Sequence, residues 1–396
     1  MFVADPLALD PDALVAEARE KAGLASFGAD ESFREGLAVL TRSLEDEAGL
    51  NATGRATQHA RIVDSLVTRL TVESYFERHP EILDEDLGDP VVIVGLMRTG
   101  TTRLHRLLGA GQAFRVARWW EVRYPAPFPG SAWRNDDPRI AAAHEEVRMT
   151  LEAVPILETV HPWDAEGADE EVMLLEHAFQ SWLPESGAQV PSYSAWLDEQ
   201  DLVQAYRYLA RLLQFIQWQQ TQSGRCVDAG RWILKSPFHL AYVDTLLDVF
   251  PGARVLQTHR DPLETIPSSA SMYRALRALN SDSVDDHACG AQVRERFRWA
   301  LERCMRSRDA REGDGFLDVD FRAVGREPIA EARRIYEWLE VPLGDEAESA
   351  MNLWLRENAR EKRAAHAYSL EEFGFSESAL AADFAEYRER YIHSER

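Results

Sequence analysis

Cysteine is scarce and odd in number. Cys226, Cys289 and Cys304 are the only three in 396 residues, which supports neither a disulfide framework nor a four-cysteine metal site and points to reduced thiols. Positive charge is also short, with 44 Lys and Arg against 67 Asp and Glu and a net charge of -23. General binding to a nucleic-acid backbone needs a positive surface and is excluded as a main role. A small anion is a different matter, because backbone N–H groups and two or three local cations hold one inside an acidic protein. No uninterrupted apolar run reaches the roughly 18 residues that a membrane crossing requires. The start, MFVADPLALDPDALVAEARE, carries acids and prolines where a signal peptide has a basic patch and an apolar stretch. The expectation is a cytoplasmic chain without stable membrane insertion.

What is present suits a globular enzyme: the apolar fraction of 45% leaves ample material for a core. Residues 1–88 read as a helical N-terminal extension, with Ile62, Val63, Leu66, Leu70 and Val72 at helical spacing. The first strong strand is PVVIVGL, Pro90 to Leu96, a β-branched run of the kind buried on both faces of a parallel sheet. Further strands are expected at Arg231–Ser236, Ala253–Pro262 and Gly315–Phe321, alternating with helical segments. That order predicts an α/β fold, a parallel sheet in a three-layer sandwich. Residues 89–118 and 223–345 would form its nucleotide-binding core. Between them, 119–222 forms a mainly helical, aromatic-rich lobe for an acceptor, with helical runs from Asp169 to Trp182 and from Ser194 to Gln222. Residues 346–396, helical and then looped, would close over the site.

The loop after the first strand carries the chemistry. Gly95-Leu96-Met97-Arg98-Thr99-Gly100-Thr101-Thr102 has the GxxxxG spacing of a phosphate-binding loop between a buried strand and a helix. Glycines there permit a tight turn, while successive N–H groups and the helix start converge on an anion. Thr101 stands where a nucleoside triphosphatase has its lysine, and the nearest cation is Arg98, a planar fork rather than a point charge. An ordinary ATPase reading loses ground accordingly.

These residues resemble the sulfotransferases that use 3'-phosphoadenosine 5'-phosphosulfate (PAPS), in particular the bacterial sulfotransferase-like group. That resemblance implies that Arg98, Thr99, Gly100, Thr101 and Thr102 hold the 5'-phosphosulfate, with Met97 where proline is common. It implies that Arg260 and Ser268, eight residues apart in HRDPLETIPSS, hold the 3'-phosphate, the serine from a helix entrance that contains Pro267. Arg260 taken alone is equally well explained by a structural ion pair. Lys235 and Ser236 of RWILKSPFHL match a Lys-Ser/Thr pair, but Pro237 occupies the place of the catalytic histidine of cytosolic members. The base is therefore open among Glu170 and Glu171 at an apparent helix start, His161 and His239. Late in the chain, Arg363 with Arg360, Lys362, His366 and Tyr368 resembles a loop that closes over the nucleotide.

The function implied is transfer of a sulfuryl group from PAPS to a hydroxyl or amine of a partly hydrophobic small molecule, lipid or glycan. Adenosine 3',5'-bisphosphate is the product, no metal is required, and Arg98 and Lys235 stabilise the developing charge. A homo-oligomer is compatible with the sequence. One alternative is a small-molecule kinase with Asp318 or Asp320 as magnesium ligand. Another is a protein that binds the bisphosphate without catalysis.

Overall fold

A computed structural model describes residues 7–154, 163–225, 230–311, 313, 315–358 and 369–392. Its centre is a four-stranded parallel sheet in the order β2-β1-β3-β4, made of β1 Val91–Val94, β2 Ile233–Lys235, β3 Arg254–His259 and β4 Phe316–Asp320. Each strand lies within a segment that its β-branched or apolar run marks. The Val-Val-Ile-Val sequence of β1 is buried along its whole length, as a strand covered on both faces demands.

Strand pleating divides these residues between two cores. Val91 and Ile93 meet Leu104, Leu107 and Leu108 of α4 (Thr101–Ala110), together with Ile335 and Met351. Val92 and Val94 turn the other way into the larger core. That core takes in all three N-terminal helices, α1 (Pro11–Ala22), α2 (Phe33–Asp46) and α3 (Ala52–Arg78). The N-terminal helices thus share the main core of the sheet. Helices on both faces give the three layers expected.

The long connection from α4 to β2 begins with α5 (Trp119–Arg123), α6 (Pro138–Ala153) and the single turn α7 (Val172–Leu175). It continues with α8 (Leu183–Gly187), α9 (Pro191–Asp198) and α10 (Val203–Gln222). The expected helix from Asp169 to Trp182 is a correction: only residues 172–175 are α-helical, followed by a 3₁₀ turn at Glu176–Ala178. Asp169 and Glu170 before it form no helix, Asp169 N–H donating instead to Ala117 O at 3.0 Å. Beyond β2 come a 3₁₀ turn, Pro237–Tyr242, and α11 (Val243–Val249); β3 is followed by α12 (Pro262–Arg277) and α13 (Asp286–Asp309). After β4 lie α14 (Phe321–Arg326), α15 (Pro328–Trp338) and α16 (Asp345–Glu357). Among the described residues the C-terminal part holds α17 (Glu377–Asp383) and α18 (Ala385–Tyr391).

The start of α12 also lies earlier than the sequence suggested. Asp261 caps it by accepting from Leu263 N–H at 3.0 Å, and Pro262 fits the first helical turn, where its missing N–H costs nothing. Pro267 consequently lies inside the helix and Ser268 is one turn beyond the orphan N–H groups. The serine must therefore act through its hydroxyl alone.

Two histidines are buried as neutral rings. His105 on α4 donates Nε2–H to Ile233 O at 3.1 Å, and burial, aided by the Lys235 charge, pushes its pKa down to about 4. His177 bonds Ser65 through Nδ1 at 2.9 Å and is pushed to about 3 by burial and by the Arg123 charge. Both titrate near 6.5 once unfolded, so the unfolded chain binds more protons between about pH 6.5 and 4. Stability is full above that window and falls as the pH drops through it, by on the order of 3 kcal/mol for each ring at pH 4. Urea midpoints measured at pH 7 and pH 5 should show the loss, and His105→Gln and His177→Gln should each flatten the slope.

Candidate active site

Parallel strands bring their carboxyl ends to one edge of the sheet, and the loops that follow β1, β2, β3 and β4 all emerge there. The loop after β1 is held tightly by β3. Gly95, at φ 152°, passes so close that an added Cβ would lie 2.2 Å from Thr258 Oγ1. Thr99 is buried, donates its hydroxyl to Leu96 O at 2.6 Å and sits 2.7 Å from Thr258 Oγ1. Its side chain is thereby committed inside the loop, leaving its N–H for a ligand. Gly100 begins α4 in the left-handed region at φ 83°, with Phe321 packed against it. Arg98 also has a positive φ, 70°.

The two segments expected to hold opposite ends of a nucleotide touch each other. Arg98 Nε donates to Ser268 Oγ at 3.1 Å, and an Arg260 guanidinium N–H donates to Arg98 O at 2.9 Å. Arg260 lies over the Phe321 ring, 4.3 Å from its centroid, and pairs with Glu264 through two bonds of 3.0 and 2.7 Å. The structural ion pair is thus present in Arg260, alongside its bond to the loop after β1. That side chain remains about a fifth exposed, at 21%.

On the other side of the loop Lys235, whose side chain is wholly buried, ends β2 beside Ile93 of β1. Its ammonium donates to Thr102 Oγ1 at 3.2 Å and to a Glu170 carboxylate oxygen. Glu170 keeps 19% of its side-chain surface open. Burial raises its pKa; the Lys235 charge opposes the rise, while Asp169 and Glu171 add to it.

Glu171 differs entirely from its neighbour. Its carboxylate accepts from Lys235 N–H at 2.9 Å and lies 2.5 Å from His239 Nε2, both side chains being buried. Burial alone would raise its pKa, but the hydrogen bond and charge of His239 and the N–H of Lys235 outweigh that and hold it low. Neither carboxylate caps α7. The strand-end lysine and the histidine are stronger partners than the few orphan N–H groups of a four-residue helix. His239 is bonded on its other side to Tyr206 OH at 2.7 Å, so both ring nitrogens are occupied by protein.

Several expected contributors, His161, Arg360, Lys362, Arg363, His366 and Tyr368, lie outside the described residues. Others that meet the site went unnoticed in the sequence: Phe321 under Arg260, Tyr206 behind His239, and the Arg106–Asp169 pair beside Glu170. Arg106 carries a usable signal, since it stands four residues after Thr102 on the same helix face. Tyr206 and Phe321 carry none, being single aromatics distant in sequence from the motifs. Of the two acids offered as magnesium ligands, Asp318 is bonded to His259 at 2.9 Å and to Arg308 at 2.6 Å, and Asp320 caps α14 through Arg322 N–H at 2.6 Å. Among the described residues no group of three or more His, Cys, Asp or Glu is arranged to hold a metal ion.

Residues 90–345 match the model of a sulfotransferase family. This chain belongs to the sulfotransferase family. A crystal structure of sulfotransferase STF9 from Mycobacterium avium is similar over 97% of both chains, at 31% identity and a TM-score of 0.85. Sulfotransferase STF1 from Mycobacterium tuberculosis H37Rv is similar over 95% of this chain and 98% of its own, at 31% identity and a TM-score of 0.82. A curated relative from Mycobacterium bovis, omega-hydroxy-beta-dihydromenaquinone-9 sulfotransferase Stf3, is 25% identical over 265 residues. That match takes in 65% of this chain and 63% of the relative, so it spans under two thirds of the relative's length. The loop of residues 95–102 is fixed by close contact with β3. Gly95→Ala should lower stability by about 1–3 kcal/mol through overpacking against Thr258, read from the urea midpoint. Gly325→Ala, with open space around the added methyl, should change it by no more than about 0.5 kcal/mol.

Proposed function

We propose that the chain transfers a sulfuryl group from PAPS to a hydroxyl of a lipophilic acceptor, releasing adenosine 3',5'-bisphosphate. The observation that carries this reading is the Lys235 ammonium shared between Thr102, at the mouth of the phosphate-binding helix, and Glu170. It joins an anion site directly to a carboxylate that is about a fifth exposed and of raised proton affinity, the pairing that sulfuryl transfer to an alcohol requires.

The donor set fits a nucleotide bearing phosphate at two positions. At one pole stand the loop N–H groups, Arg98, Thr101, Thr102 and Lys235; at the other stand Arg260 and Ser268, joined to the first pole through Arg98. Arginine forks and hydroxyls suit phosphate and sulfate oxygens, and helix N-termini favour anions. In the reaction the acceptor oxygen forms its bond to sulfur as the bond from sulfur to the phosphate oxygen breaks. Glu170 takes the hydroxyl proton. The electron pair passes to the departing phosphate oxygen, where Lys235 and the loop donors meet the growing charge. Because these donors are fixed by the fold, little reorganisation is needed as the charge moves.

An acceptor of lipid character is supported by the aromatic-rich connection between α4 and β2, where Trp119 and Trp120 form an apolar cluster close to the Glu170 segment. The curated relative is named for an omega-hydroxylated dihydromenaquinone, which agrees with an alcohol on a hydrophobic body. Cytoplasmic placement is part of the same proposal. The described thiols, Cys289 and Cys304, are free and buried, and no described helix is long and apolar enough to cross a membrane.

Labelled PAPS with a panel of lipophilic alcohols and a chelator should give sulfated product together with the bisphosphate. Transfer from ATP with Mg²⁺ instead, or bisphosphate binding without turnover of any acceptor, would overturn the reading. Arg260→Ala and Ser268→Ala should each weaken bisphosphate binding in calorimetric titration by about 10- to 150-fold, the loss of a charge-assisted hydrogen bond worth about 1.5–3 kcal/mol. Glu170→Gln should lower kcat by about 10²–10⁴-fold while bisphosphate affinity is kept.

A further inference from the structure

Asp169, Glu170 and Glu171 are consecutive acids, yet each has a separate partner. Asp169 is turned toward α4, where Arg106 donates to its Oδ2 at 3.4 Å and to Ala168 O at 3.0 Å. Arg106 and Asp169 are both buried. Asp169 also accepts from Glu170 N–H through Oδ1 at 2.7 Å, which fixes the backbone of the next residue directly. Glu171 is turned toward β2 and its following turn, held by Lys235 N–H and by His239, which Tyr206 in turn holds from α10. Of the three carboxylates only Glu170 stays open to solvent, with 19% of its side chain exposed against 4% for Asp169 and 1% for Glu171.

We propose that Asp169 and Glu171 are positioning residues that clamp Glu170 onto Lys235, whose ammonium also reaches Thr102, Asp169 through Arg106 and Glu171 through the His239–Tyr206 chain. The proposal rests on the reading of Glu170 as base but concerns different residues. Two anchored neighbours leave the intervening backbone no freedom to swing. A displacement of about 1 Å at such a group costs on the order of 10²-fold in rate. The clamp has an electrostatic consequence as well. Glu170 is faced by Lys235 from β2 and by Asp169 and Glu171 on its own segment; Arg106 of α4 is bonded to Asp169, His239 of the turn after β2 is bonded to Glu171, and His105 of α4 feels Lys235, Glu171 and Asp169. Both acidic neighbours oppose its ionisation, so neutralising either one lowers its pKa.

The test uses the full chain labelled with ¹³C at its glutamate carboxyls, the Glu170 resonance being assigned by its loss in Glu170→Gln. In Asp169→Asn and Glu171→Gln the Glu170 titration midpoint should move to lower pH, and the acidic limb of kcat should move with it. kcat should fall by about 10- to 100-fold, with bisphosphate affinity unchanged. Arg106→Lys and Tyr206→Phe are milder variants that keep a charge or a ring. Each should lower kcat with the same unchanged affinity. An unmoved Glu170 midpoint in folded Asp169→Asn and Glu171→Gln, or full kcat in both milder variants, overturns the clamp even when the wild type transfers sulfate. Failure of sulfate transfer by the wild type strikes instead at the proposed function, and the titration midpoints still decide whether the acids are coupled.

Discussion

A buried ammonium group sets the geometry on which the rest of the site depends. Lys235 has no exposed side-chain surface, and taking its charge out of water costs several kcal/mol unless partners compensate. Glu170 and Thr102 supply that compensation from two separate parts of the chain. Sheet register supplies the position, since Lys235 is paired with Ile93 at the end of the central strand. A cation so placed draws the start of α4 and the acidic segment of residues 169–171 to one point. Removing it would leave the Glu170 carboxylate, itself only 19% exposed, without the cation that offsets its partial burial.

The loop after β1 obeys a related constraint, with the backbone bearing the strain. Arg98 at φ 70° occupies a region that costs a non-glycine residue on the order of 1–3 kcal/mol. It persists because its carbonyl is held by Arg260 and its Nε by Ser268, while Thr99 and Thr258 lock the next residue to β3. The same contacts that offset the strain bring the two arginines together. Phe321 at the end of β4 completes the arrangement by supporting the Arg260 guanidinium and packing against Gly100. Three of the four strands thus contribute to holding one short loop.

Much of the frame was legible because local chemistry dictated it. Val91 to Val94 could be read as a buried strand from β-branching alone, and the glycine and threonine pattern after it as an anion loop. Arg260 and Ser268 were singled out by their separation and the family resemblance, and the fold brings both to Arg98. The helix expected from Asp169 onward failed because its apolar residues, Val172, Leu174 and Leu175, pack in a single turn, while its acids are drawn away by Lys235, His239 and Arg106. The Pro262 start of α12 overrode the later Pro267-Ser268-Ser269 signal, since an aspartate cap and a proline in the first turn begin a helix wherever they occur. His259 and Asp318 illustrate the same limit: one chain position looked like a metal ligand, and only folding revealed a histidine and an arginine already bonded to it.

The amino-acid order by itself determined the alternation of strands and helices, the phosphate-type loop and the excess of negative charge, because each depends on neighbours within a few residues. Tertiary structure alone decided which of two adjacent glutamates stays open beside Lys235 and which is buried against His239. Sequence assigns both the same side chain and almost the same place. Their different environments arise from groups 65 and 68 positions away, which reach them only when the parallel sheet has brought its strand ends together.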